Sequence, residues 1–140
     1  MVGRTISHYQ IQDKLGEGGM GVVYRALDTH LDRPVAIKVL AADAVANPER
    51  KRRFVQEAKA ASALNHPNII TIYDIDNAGG VDFIAMEYVA GKTLERLIAR
   101  QGLALGELLQ YAIQIADALD RAHAAGIVHR DLKPANVMVS

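Results

Sequence analysis

The sequence predicts an α+β fold with two lobes, a strand-rich first lobe that carries one helix and a second lobe that is mainly helical. Residues 9–40 contain three segments of strand character separated by glycine-rich and polar turns. From residue 93 onward, apolar side chains recur at helical spacing instead. This order of elements predicts an N-lobe over residues 9–88, a linker over 89–92 and the start of a C-lobe over 93–140.

Composition excludes several classes of function. The 140 residues hold 16 Lys and Arg against 16 Asp and Glu, so the formal net charge is zero and no basic field favours nucleic acid. Cysteine is absent, which excludes disulfides and thiolate metal sites. The N-terminus lacks a signal-peptide pattern, and the apolar runs are too short to cross a bilayer. We therefore expect neither a nucleic-acid partner nor a membrane segment in this chain.

The strand-rich part is expected to be an antiparallel meander. Residues 9–15 alternate apolar and polar side chains, and β-prone segments follow at 22–27 and 35–40. Short glycine-rich and polar connections join these three segments. Two further strands are predicted at 69–75 and 81–88, around the turn that contains Gly79 and Gly80.

Three helices are predicted. Asn47 and Pro48 have the residue types of a cap and a first helical position. One face of the helix that follows carries Phe54, Ala58, Ala61 and Leu64. A short helix is expected over 93–100 and a long one over 105–125, with Gly126 as its C-terminal cap. The apolar face of the long helix is expected to be core in a complete second lobe, where later helices pack on it, and to be exposed in this chain; its residues are Leu109, Ala112, Ile113, Ala116, Leu119 and Ala122.

The glycine cluster Gly16-Glu17-Gly18-Gly19-Met20-Gly21-Val22-Val23 matches the pattern G-x-G-x-x-G-x-V. Glycines let backbone N–H groups approach phosphate oxygens, although a glycine-rich hairpin without a ligand has the same pattern. A dinucleotide fold would need a helix after the glycines, whereas a strand is predicted there. A P-loop would need Lys-Ser/Thr after Gly21, whereas Val22-Val23 follows. Both of these nucleotide-binding alternatives fail.

The segment Val35-Ala36-Ile37-Lys38 ends an apolar strand on a lysine. A buried ammonium group needs a partner. Lys38 either extends to water along its aliphatic stem or pairs with phosphate oxygens and a carboxylate. Glu57, on the following helix, is the candidate carboxylate.

The segment His129-Arg130-Asp131-Leu132-Lys133-Pro134-Ala135-Asn136 is the most specific motif. It matches H-R-D-L-x-x-x-N at every fixed position and follows the two earlier motifs in the expected order. Chance agreement at five specified positions is on the order of one in millions per window.

With these three motifs the chain resembles protein kinases along its whole length. Gly-Glu-Gly-Gly-Met-Gly and His-Pro-Asn-Ile-Ile are similar to bacterial serine/threonine kinases. The resemblance implies that glycines cover the phosphates of ATP, that Lys38 holds the α- and β-phosphates and pairs with Glu57, and that Met86 is the gatekeeper before a hinge. The implied nucleotide-binding residues are Leu15, Gly16, Gly18, Gly21, Val23, Ala36, Lys38, Glu57, Met86, Glu87, Val89, Asn136 and Met138.

The resemblance also implies catalytic roles. Asp131 would accept the proton of the substrate hydroxyl, Lys133 would steady the γ-phosphate, and Asn136 would bind Mg²⁺, while Lys38 supports catalysis through the phosphates. Arg130 suggests activation by phosphorylation of an activation loop. The expected partner is a protein substrate with Ser or Thr, the expected location of the kinase domain is the cytoplasm, and the full-length kinase is a candidate for dimerisation.

The sequence departs from the family pattern at its end, because Ser140 lies four residues after Asn136 and no Asp-Phe-Gly or Ala-Pro-Glu follows. We therefore expect an incomplete kinase domain that is inactive by itself. One alternative is a nucleotide-binding, pseudokinase-like fragment with a regulatory role. Another is a small-molecule phosphotransferase, against which Lys133-Pro134 argues.

The remaining polar residues have structural interpretations. His123 and His129 lack a third ligand at a recognised metal-site spacing, and His66 is expected to close a turn. The basic run Arg50-Lys51-Arg52-Arg53 is expected to be a solvated first turn of a helix rather than a nucleic-acid patch.

Overall fold

A computed structural model describes residues 1–18, 21–41, 46–127 and 137–140 of the chain. The chain divides into two compact units. The first comprises Met1–Ala63 and Ile70–Tyr88, and the second comprises Leu64–Ile69 and Val89–Ser140. Residues 64–69 thus belong with the second unit.

The first unit is built on an antiparallel sheet with the strand order β1-β2-β3-β4-β6-β5. Strands are present in the five predicted places, although the fourth, predicted at 69–75, occupies Ile72–Ala78, and β1 is an addition. Glycines 79 and 80, both at positive φ, form the turn between the last two strands. The strands are β1 Thr5–Ile6, β2 Tyr9–Gly18, β3 Gly21–Asp28, β4 Arg33–Leu40, β5 Ile72–Ala78 and β6 Val81–Glu87.

The sheet curls so that its two ends approach each other. Tyr9 of β2 donates a hydrogen bond from its hydroxyl to Asp74 Oδ2 of β5 at 3.4 Å, although three strands separate β2 from β5 in the sheet. The Tyr9 ring also meets the Phe83 ring edge-on, with centroids 5.7 Å apart. The inward face encloses the apolar core, whose largest fully buried side chains are Phe83, Ile11, Ile37 and Val35.

Helix α1, Pro48–Ser62, follows the sheet's first four strands and packs against β5. The predicted cap is confirmed, because Asn47 Oδ1 accepts hydrogen bonds from the backbone N–H groups of Glu49 at 2.9 Å and Arg50 at 3.4 Å. The predicted inner face is confirmed at Ala58, which is buried.

The second unit contains α2 Leu94–Gln101, α3 Leu105–Ala124, and the short pair β7 Lys92–Thr93 and β8 Met138–Val139. The two helices were predicted, and the β7–β8 pair was not. Thr93 caps α2 by accepting from Arg96 N at 3.2 Å. The predicted cap at the end of α3 is confirmed, because Gly126 has a φ of 79° and donates to the His123 carbonyl.

The loop 64–69 is fixed to α3 within the second unit. His66 Nδ1 accepts from Asn68 N at 3.0 Å, which confirms the predicted turn. His66 Nε2 also lies 3.0 Å from Asp117 Oδ2, and Asn68 Nδ2 donates to Gln114 Oε1 at 3.2 Å. These two contacts to α3 were not predicted.

The expected exposure of the apolar face of α3 in this chain is confirmed over most of its length. Leu109 and Ile113 are 54% and 67% exposed, and Leu105 is 71% exposed. Only the end of the predicted face is covered, at Leu119 and Ala122. The helical period identified an amphipathic helix correctly, but no described segment covers this stripe. Within the described ranges, no helix is long and apolar enough to span a membrane.

Candidate functional site

The candidate site lies on the face of β3, β4 and β6 that points away from the apolar core. Lys38 pairs with Val23 on one side and with Ile84 on the other, and Ala36 pairs with Met86. Residues directly opposite each other in an antiparallel pair share a face, as do residues i and i+2 of one strand. Val23, Ala36, Lys38 and Met86 therefore lie together on one face.

The alternation along β4 explains how an apolar strand carries a lysine. Val35 and Ile37 point into the core and are fully buried, whereas Lys38 points to the opposite face and is partly buried. The neighbours of Lys38 across the sheet, Val23 and Ile84, are apolar. Lys38 is thus flanked across the sheet by two apolar residues on the face that it shares with them.

Two glycines of the cluster have different physical roles. Gly21 has a φ of 143°, and a Cβ there would lie 1.9 Å from the Val39 carbonyl oxygen, so the fold itself requires glycine. Gly16 pairs with Val23, and a Cβ at Gly16 would meet no atom within 4 Å. Open space therefore lies above Gly16 on the same face as Val23. Gly18 of β2 pairs with Gly21 of β3 at the end of the pairing between these two strands. Residues 19–20 lie outside the described residues.

Leu15 lies in an irregularity of β2, where the pairing with β3 shifts between Lys14 and Gly16. Its side chain is 48% exposed. Beside it, the exposed Lys14 ammonium donates to Glu17 Oε2 at 2.6 Å. That hydrogen bond raises the pKa of Lys14 and lowers the pKa of Glu17. The two charges next to the glycine cluster are thus both satisfied locally.

The end of β6 is fixed to the start of β5 through Glu87. Its backbone N–H donates to the Thr71 carbonyl at 2.8 Å, and its Oε1 accepts from Thr71 N at 3.1 Å. This side-chain contact of Glu87 was not predicted from the sequence. The first unit ends at the next residue, Tyr88, and Val89 begins the second unit.

The remaining predicted site residues are distributed over other elements. Glu57 lies on α1, next to buried Ala58, and its side chain is exposed. Met138 lies in β8 opposite Thr93 and is 37% exposed. Asp131, Lys133 and Asn136, together with Arg130, lie outside the described residues.

Two residues of structural importance, one in each unit, were not singled out from the sequence. Ile84 lies beside Lys38, and register between strands cannot be read from one strand's alternation alone. A Cβ at Gly91 would lie 2.1 Å from the Val139 carbonyl oxygen, so glycine is needed where β7 approaches β8. Among the described residues, no group of three or more acidic or histidine side chains is arranged to hold a metal ion.

Comparison with known proteins identifies the family. The protein kinase domain family matches residues 9–140. A probable serine/threonine-protein kinase of Clostridium acetobutylicum is 47% identical over 142 residues, covering 100% of this chain and 22% of that protein. The serine/threonine-protein kinase PrkC of Bacillus subtilis is 46% identical over 141 residues, covering 99% of this chain and 22% of that protein.

A solved structure agrees in fold. The crystal structure of the Mycobacterium tuberculosis PknI kinase domain matches with a TM-score of 0.87 and 36% identity, covering 99% of this chain and 56% of that chain. The chain thus spans about a fifth of the length of these curated relatives and just over half of this solved kinase domain. The chain belongs to the protein kinase family, and it forms the N-terminal part of a kinase domain similar to those of bacterial serine/threonine kinases.

Proposed function

We propose that the kinase to which this chain belongs transfers the γ-phosphoryl group of ATP to a Ser or Thr hydroxyl of a protein. The observation that carries the proposal is the shared face of Val23, Ala36, Lys38 and Met86, with open space above Gly16 beside it. Such a face offers apolar contact and a positive charge next to a strand whose backbone is accessible.

These groups match the parts of ATP. The apolar side chains of Val23, Ala36 and Met86 suit the faces of a purine ring, and the Lys38 ammonium suits the phosphates. The missing side chain at Gly16 allows close approach of phosphate oxygens to the backbone. Phosphoryl transfer requires mainly positioning and charge neutralisation, which are the two properties that this face supplies.

The catalytic roles remain predictions from the motif at residues 129–136. In the proposed mechanism Asp131 orients the substrate hydroxyl and accepts its proton, and Lys133 neutralises charge on the γ-phosphate. Asn136 would be a ligand of Mg²⁺, which supplies further neutralisation of the phosphates when bound. Location in the cytoplasm and dimerisation of the full-length kinase also remain predictions.

We further propose that the polypeptide of residues 1–140 is inactive by itself. Protein kinases hold their metal with the catalytic-loop Asn and with the Asp of Asp-Phe-Gly, and no Asp-Phe-Gly follows Asn136 in this sequence. The exposed stripe of Leu105, Leu109 and Ile113 should also cause self-association. Light scattering should show oligomers of this polypeptide, and Leu109→Lys with Ile113→Lys should reduce them. A monodisperse monomer that phosphorylates a Ser/Thr peptide would overturn this proposal.

The function is tested in the full-length kinase with Lys38→Met, which removes the charge and keeps much of the side-chain volume. ATP-dependent phosphorylation of a generic Ser/Thr peptide should fall to background. Lys59→Met, on the exposed last turn of α1, removes a charge of the same kind away from the site and is the matched control. Unchanged activity of Lys38→Met would contradict the assignment, and an inactive wild-type kinase that still binds ATP would favour the pseudokinase alternative.

A further inference from the structure

Asp82, the second residue of β6, is the centre of a small polar network that joins three elements. Its Oδ1 lies 3.0 Å from Lys51 Nζ of α1 and accepts from Asn77 Nδ2 of β5 at 3.1 Å. Asn77 and Asp82 are directly opposite each other in the β5–β6 pair. The Asp82 side chain is 14% exposed, so this carboxylate lies in a largely covered position.

Lys51 differs from the basic residues beside it. The sequence had suggested that the whole run at 50–53 is a solvated surface, and Arg50, Arg52 and Arg53 are indeed exposed. Lys51 is only partly exposed and directs its ammonium group to Asp82. Burial alone would raise the pKa of Asp82, but the hydrogen bonds from Asn77 and Lys51 outweigh it and hold that pKa below its ordinary value. The ionised carboxylate is therefore the form that the network stabilises.

The position of Lys51 along α1 gives the ion pair a mechanical consequence. The helix packs against β5, and Ala58, the residue of this helix that is buried, lies in its second half. Lys51 lies seven residues earlier, about two turns away. A helix held at one point can pivot, whereas two separated contacts fix its orientation. Glu57, the predicted partner of Lys38, is next to buried Ala58 on the same helix.

We propose that the Lys51–Asp82 ion pair is a positioning contact that fixes the first turn of α1 on the sheet and thereby sets the orientation of Glu57 for its partnership with Lys38. This inference rests on the proposed function, since it assigns Lys51 and Asp82 a role in assembling that site. Lys51 and Asp82 are positioning residues, because neither belongs to the face that is proposed to bind ATP.

The test compares Lys51→Met with Arg52→Met in the full-length kinase, because Arg52 is an exposed cation on the same helical turn. We expect Lys51→Met to lower kcat/KM for ATP about fivefold, the scale of a half-exposed ion pair, and Arg52→Met to change it less than twofold. Hydrogen exchange should accelerate in residues 48–53 of Lys51→Met and stay unchanged in the sheet core. The exchange measurement does not depend on catalysis, so it separates failure of this inference from failure of the proposed function.

Restoring the ion pair with its two charges exchanged provides the decisive control. The double variant Lys51→Asp with Asp82→Lys re-forms an ion pair of opposite polarity and should recover at least half of the lost kcat/KM and of the lost protection. Asp82→Asn, which keeps the shape and the acceptor oxygen and loses the charge, should resemble Lys51→Met if the double variant does not fold. Equal effects of Lys51→Met and Arg52→Met, or loss of thermal stability with unchanged exchange in α1 and unchanged kcat/KM, would overturn the inference.

Discussion

The curled sheet of the first unit and helix α3 of the second unit have apolar patterns of similar clarity but very different environments. In the sheet, Phe83, Ile11, Ile37 and Val35 are each at most 1% exposed, because the curl brings one face of the strands around a common core. In α3, Leu109 and Ile113 are more than half exposed. The apolar faces of alternating strands can thus be buried within one unit, whereas the apolar face of the amphipathic helix needs a further element to cover it. We propose that a later part of the kinase domain covers α3.

The largest expected effect comes from core deletion in the sheet. Phe83→Ala should destabilise the complete kinase domain by about 3–5 kcal/mol, because it leaves a cavity in a closed core. Ile113→Ala should change the free energy of unfolding of the 1–140 polypeptide by less than about 0.5 kcal/mol, because the side chain is exposed. Urea denaturation of both variants measures the difference.

Ile113→Ala in the complete kinase domain also tests whether the apolar face of α3 is covered there. If a later segment covers α3, Ile113→Ala should cost about 2–4 kcal/mol there, the usual range for a buried aliphatic deletion. A near-zero cost in both the 1–140 polypeptide and the complete domain would show that this face of α3 stays uncovered.

A smaller effect separates the two glycines of the cluster. Gly21→Ala should destabilise the first unit by about 2–3 kcal/mol, because its φ of 143° is strained for alanine and its Cβ would collide with the Val39 carbonyl. Gly16→Ala should leave stability within about 0.5 kcal/mol, because the space is open. It should instead raise the KM for ATP, if phosphates approach there. Thermal unfolding measures the stability of the two variants, and ATP kinetics measure their KM. A Gly16→Ala variant that is destabilised but keeps the wild-type KM for ATP would contradict the proposed role of Gly16.

The contact that closes the curl should make stability depend on alkaline pH. Burial, followed by the negative charges of Asp74 and Asp28, raises the pKa of Tyr9 to about 12. Because the folded state holds the phenol proton more tightly than the unfolded chain, the contribution is complete below pH about 10 and is lost as the pH rises through about 12. Wild-type stability should therefore decline by up to about 2 kcal/mol more than that of Tyr9→Phe between these values. Parallel stability curves for the two proteins would contradict this origin of the closure.

Local patterns predicted the local elements well. The alternation along residues 9–40 indicated three strands, and Asn47-Pro48 indicated the start of α1 at the residue where it occurs. These features depend on neighbouring residues, so the sequence carries them directly. The same reasoning suggested that Lys38 leaves the core, which the alternation with Ile37 explains.

Features that depend on distant residues were not predictable in this way. The Tyr9–Asp74 bond joins residues 65 positions apart, and the contact of Lys51 with Asp82 depends on how α1 lies on the sheet. The amphipathic period of α3, by contrast, predicted both which face needs cover and that this chain leaves most of it exposed. The pairing of Lys38 with Ile84 likewise follows from register, which the curled sheet fixes and a single strand does not.

The central claim, that this chain carries the ATP face and the catalytic loop of a serine/threonine kinase, is tested most directly by Asp131→Asn in the full-length kinase. This substitution keeps the shape of the side chain and removes the charge that is proposed to orient the substrate hydroxyl. The predicted result is a fall in kcat of about a hundredfold or more, with ATP affinity, measured separately by equilibrium binding, within about twofold of wild type. A variant that keeps its kcat and loses affinity for ATP would contradict the claim.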